Sequence, residues 1–303
     1  MFDYISLLKF RAVFAARGGG VLPDFLGSTI RGVFGHCMRE FACRYQEETL
    51  PCHQCRERKG CLYALCFSSA GGEAGAVNPF VLYPLIQGKT QWREGDRCAF
   101  DLTVIGDMTG QSGIFLHGLR AMETKGWGAA RIPFALEHIL DPTSGRILYA
   151  GSRVWNANIR SRPFTWEPRK AKSALVQFDT PVRVVHSQEL CQSLDFETLI
   201  RFISRRVALL TKAYTDQILE WDESLYTEAA RVRTVQEEWR SVPFTRYSMT
   251  QKGERLDLPA ITGWALYEGD LEPFVPILEV GALLQVGKNT THGFGHYTVS
   301  YDQ

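Results

Sequence analysis

The chain has 303 residues, 34 basic and 33 acidic, and is 45% hydrophobic and 22% charged. These proportions leave room for two domains and exclude wholesale disorder, and a formal charge of +1 singles out no class of partner. No run of about 18 apolar residues marks a membrane span. Met1-Phe2-Asp3-Tyr4 lacks the basic and apolar segments of a signal peptide, so the expected compartment is the cytoplasm, with reduced thiols. Nine lysines stand against 25 arginines. The planar arginine fork suits phosphates and bases, although a GC-rich genome produces the same excess.

Residues 4–16 read as a strand, because Phe10, Ala12 and Phe14 alternate with Lys9, Arg11 and Val13. A helix is predicted over 24–44, with Leu26, Ile30, Val33, Cys37 and Phe41 as its buried stripe. Its other face carries Ser28, Arg31, Gly32, Gly35, His36 and Arg39. Glycines inside a helix cost about 1 kcal/mol each, so the two here imply close approach by a ligand or another element. Strands follow over 79–85 and 97–105, a helix over 112–125, and a strand pair over 132–140 and 146–149. The order β, α, β, β, α, β is the ferredoxin-like pattern.

The second half repeats it. The expected elements are a strand over 174–185, a helix over 196–214, strands over 231–239, 244–249 and 261–267, a helix over 271–284 and a last strand over 294–301. The expected fold class is therefore α+β, two tandem ferredoxin-like (RRM-like) domains over 1–150 and 173–303. A Cys-rich knuckle at about 50–67 is inserted in the first domain, and 151–172 is a basic linker.

In the knuckle, Cys52, Cys55, Cys61 and Cys66 follow C-x2-C-x5-C-x4-C, with Cys43 nine residues ahead. Four clustered thiols in a reducing compartment fit a closed structural Zn²⁺ site, with an iron–sulfur cluster as the alternative. The linker interleaves Arg153, Arg160, Arg162, Arg169, Lys170 and Lys172 with Trp155, Phe164 and Trp166. Cations with stacking rings bind single-stranded or looped RNA, though a solvated connector has the same composition. Arg201, Arg205 and Arg206 on the long helix are a further basic group.

The loop Gly287-Lys288-Asn289-Thr290-Thr291-His292-Gly293-Phe294-Gly295 precedes a strand. Glycines can turn amides toward a phosphate, but the pattern is neither a Walker A nor a Rossmann turn, so no nucleotide or nicotinamide cofactor is expected. With Leu278-Glu279-Val280-Gly281 before it, this run resembles the C-terminal signature of the RAMP superfamily. More closely, it is similar to the CRISPR endoribonucleases that cut precursor RNA within the repeat. Phe178-Asp179-Thr180-Pro181-Val182-Arg183, the pair Arg205-Arg206, Gly263-Trp264-Ala265 and the Gly27–Gly35 segment of the first helix resemble the same family.

The resemblance implies binding of CRISPR repeat RNA and cleavage without a metal ion. Attack by a 2′-hydroxyl would leave a 2′,3′-cyclic phosphate and a 5′-hydroxyl. It also implies a catalytic histidine on or just after the first helix, which His36 matches, with Arg31 and Arg39 near the phosphate. His292, Lys288 and Tyr45 stay open as alternatives. A non-catalytic RAMP subunit holding crRNA beside other CRISPR effector subunits, or a zinc-containing RNA-binding regulator, are the rival readings.

Overall fold

A computed structural model describes residues 1–45, 52–68, 77–247 and 255–302. Two compact units emerge. The N-terminal unit comprises Tyr4–Pro163 with Ala213–Thr215, and the C-terminal unit comprises Met1–Asp3, Phe164–Lys212 and Asp216–Gln303.

In the N-terminal unit, β1 (Ser6–Ala16), β2 (Phe80–Pro84), β3 (Arg97–Ile105) and β4 (Ile132–Leu140) form an antiparallel sheet in the order β2-β3-β1-β4. This is the ferredoxin-like order. Strand alternation sets the faces of β1: Phe10, Ala12 and Phe14 are fully buried, while Arg11 pairs with Asp101 on β3 through two hydrogen bonds of 2.7 and 2.8 Å. Helices α1 (Gly27–Ala42), α2 (Leu62–Phe67) and α3 (Ser112–Ala121) belong to the same unit. Phe34, Phe80, Phe100, Phe115, Trp127 and Phe134 meet in its core, each contributing about 2 kcal/mol through burial.

Two expectations change here. Phe41, expected in the core, is 53% exposed, its ring centre 4.2 Å from that of His117 on α3. Phe34 and Met38 are buried in addition to Ile30, Val33 and Cys37. The segment expected as linker from residue 151 begins inside this unit: Arg153–Val154 pairs with Ile147–Ala150, and Arg162–Pro163 pairs with β1. The division between units falls at Pro163/Phe164.

The C-terminal unit holds β5 (Ser173–Phe178), β6 (Arg233–Val242), β7 (Ala260–Glu268) and β8 (Tyr297–Asp302) in the order β6-β7-β5-β8, again antiparallel and ferredoxin-like. Helices α4 (Phe196–Tyr214), α5 (Glu223–Ala229) and α6 (Val275–Leu284) complete it, with the end of α4 counted in the other unit. β5 stops at Phe178 instead of running to 185, because the amides of Asp179 and Thr180 turn to the carbonyl of His296. β6 continues to Val242, where Pro243 ends it. The strand expected over 244–249 is seen as Thr245–Tyr247, paired with Arg255–Asp257, and its last residues lie outside those described. Among the described residues no helix is long and apolar enough to cross a membrane.

Candidate nucleic-acid interface

Helix α1 divides its polar residues among three environments. His36 is exposed. One turn before it, a Cβ at Gly32 would meet nothing within 4 Å among the described residues. Gly35 serves packing instead, since a Cβ there would stand 3.1 Å from the Phe67 ring. Arg31 is drawn to the same ring, its guanidinium 5.3 Å from the ring centre and one nitrogen 3.4 Å from the Phe67 carbonyl. Arg39 and Tyr45 line a small cavity together with Cys43, Cys52, Cys55, Arg58, Cys61 and Ala64.

The cysteines are not grouped as their spacing suggests. All eight are reduced thiols. Cys66 lies in the apolar run of α2, fully buried in the core of its unit, and burial pushes its thiol up to about 12. It does not line the cavity that holds Cys52, Cys55 and Cys61, and Cys43 stands there in its place. Among the described residues, no three His, Cys, Asp or Glu side chains are set to hold a metal ion as they stand. A usable signal was present: Leu62-Tyr63-Ala64-Leu65-Cys66-Phe67 is an apolar helical run, in which a cysteine is ordinarily a core residue.

The glycine-rich loop is mostly interior. Thr290, Thr291 and His292 are buried, with Gly293 and Gly295, while Lys288 is exposed. Its amides are largely committed to the chain: Lys288 donates to Arg183, Gly295 to Pro181, His292 and Phe294 to Asn289, and Gly293 to Thr290. The loop therefore packs its backbone on residues 181–183. Gly295 has a left-handed φ of 78°, and a Cβ there would run into the Val286 backbone.

The other basic candidates differ in availability. Arg160 and Arg205 are exposed. Arg162 is tied to Asp141 at 3.1 Å, and Arg169 lies 5.1 Å from the centre of the Tyr301 ring. Arg206, expected among the RNA contacts, is instead buried and donates its Nε to the carbonyl of Leu284 at 2.8 Å, capping α6 from the side. Its position three residues after Ile203 and four before Leu210, on the apolar stripe of α4, is the signal that places it inside. His296 carries a contact that the sequence does not mark: its Nδ1 lies 3.0 Å from Asp179 Oδ2, both side chains being 22% exposed.

The family model for the CRISPR-associated endoribonuclease Cas6 matches residues 176–297, and that for the AF_1859 N-terminal domain matches residues 5–164. Residues 176–297 are therefore similar to the Cas6 endoribonucleases, a family of RNA-cleaving enzymes. Solved Cas6 structures share its fold. A Thermus thermophilus Cas6 in a product complex is similar at a TM-score of 0.60 and 14% identity, over 97% of this chain and 100% of that one. A second Cas6 product complex gives 0.55 and 19%, over 97% and 99%. A partial Cas6-RT-Cas1–Cas2 complex gives 0.61 and 12%, over 98% of this chain and 46% of that one. No protein of curated function matches the chain in sequence.

Proposed function

We propose that the protein cleaves CRISPR repeat RNA in the precursor transcript, with His36 as the acid or base of a metal-independent transesterification. In this step the 2′-oxygen bonds to the adjacent phosphorus, its proton passes to a base, the P–O5′ bond breaks, and the leaving oxygen is protonated. A 2′,3′-cyclic phosphate and a 5′-hydroxyl result. The observation that carries the reading is an exposed histidine on the first helix of a chain whose residues 176–297 match the Cas6 model. Imidazole exchanges protons near neutral pH, which suits either end of this reaction. Lys288 supplies an exposed cation for the RNA backbone. A base and an acid are both needed, so a second group, from the protein or from solvent, completes the site.

The test is incubation with the repeat RNA of the host array in excess EDTA, with both product ends identified chemically. One cut yielding a cyclic phosphate supports the reading. A 3′-hydroxyl product, or binding without a cut, contradicts it and favours hydrolysis of another kind or a crRNA-holding subunit.

A further inference from the structure

We infer that Cys43, Cys52, Cys55 and Cys61 form a zinc site that pins the C-terminal end of α1, and that Cys66 takes no part in it. These four thiols line one small cavity. They reach it from three places. Cys43 is the residue that ends α1, its amide donating to the carbonyl of Arg39 at 2.9 Å. Cys52 begins the short turn Cys52–Gln54, and the amide of Cys55 closes back on the carbonyl of Cys52 at 3.2 Å. Cys61 follows the turn Arg58–Gly60, its amide returning to the carbonyl of Arg58 at 3.3 Å. The resulting spacing is C-x8-C-x2-C-x5-C.

Four sulfur donors with no open position suit tetrahedral Zn²⁺ in a structural role. Four thiolates around one divalent ion leave a charge of about −2, and Arg39 and Arg58 line the same cavity to offset it. The thiols do not yet surround a point. Metal binding and local folding are coupled in such sites, so the ion draws together side chains that already share the cavity. Cys66 is excluded by its place in the hydrophobic core. His36 lies seven residues, about 10 Å along the helix, before Cys43, so the ion fixes the end of the element that presents the candidate catalytic group. The inference stands on the thiols and is independent of the nuclease reading.

The experiment is metal analysis of the untagged full chain, wild type against Cys43→Ser and Cys66→Ala, each checked for folding by circular dichroism. About one zinc per chain is expected in the wild type and in Cys66→Ala, falling at least tenfold in Cys43→Ser. Should either variant fail to fold, alkylation of the wild type before and after zinc release gives the same answer. Cys43, Cys52, Cys55 and Cys61 should become reactive on release, while Cys66 stays protected by burial and Cys191 reacts in both states. Zinc retained by folded Cys43→Ser, zinc lost from folded Cys66→Ala, alkylation of Cys43 unaffected by metal release, or iron with acid-labile sulfide would each overturn it.

Discussion

Helix α1 and the loop over residues 287–295 carry the residues that the sequence marks most clearly for RNA, and the two are built to opposite purposes. On α1 the apolar stripe holds the helix to its sheet, and His36 is left exposed one turn from Gly32. In the loop, glycines and small polar residues are folded inward, and five amides are engaged by the chain's own carbonyls. Glycine enrichment there reflects close backbone packing as much as ligand binding. The difference teaches that a loop rich in glycine is identified as an anion site only after its amides have been accounted for.

The largest effect of a substitution is expected on α1. Replacing His36 with alanine should slow cleavage by about 10²- to 10⁴-fold, the range typical of a lost acid or base, with RNA affinity retained. Gel-resolved single-turnover kinetics measures it. In the loop, Gly295→Ala combines a left-handed φ with a backbone clash and should destabilise the C-terminal unit by about 3 kcal/mol, read from urea or thermal unfolding. Tyr297→Phe removes a buried hydroxyl that donates to the Leu278 carbonyl at 2.7 Å, and should cost about 1–2 kcal/mol in the same assay without touching the rate constant of cleavage. The smallest effect belongs to Lys288→Ala, which should leave stability unchanged. It should weaken RNA binding modestly and lower the salt dependence of log K by about one phosphate contact.

Much of the architecture was legible because hydrophobic periodicity governs it. The strand over Arg97–Ile105, the strand over Ile132–Leu140 and the helix over Phe196–Tyr214 lie where the alternation and the three-to-four spacing put them. The failures have local causes. β5 ends early because Asp179 and Thr180 bond across to His296, a pairing 116 residues away that no local pattern contains. Phe41 fits the periodic stripe but sits in the last turn of α1, packed on His117 and half exposed. The charge of Arg206 points to RNA, although its place on the α4 stripe buries it. At the cysteines, counting residues favours Cys66, while helix geometry sends it into the core and brings Cys43 to the cavity. Sequence spacing measures proximity along the chain, and the end of a helix can contribute a ligand from farther off.

Chemistry at His36 on α1 and a binding and folding role for the glycine-rich loop should separate in kinetics. Single-turnover cleavage of repeat RNA at saturating enzyme, in excess EDTA, tests it when His36→Ala and Lys288→Ala are run side by side. The account predicts a rate constant lost in His36→Ala and preserved in Lys288→Ala, with affinity affected only in the latter. Full activity in His36→Ala, or a rate constant abolished in Lys288→Ala, would contradict it.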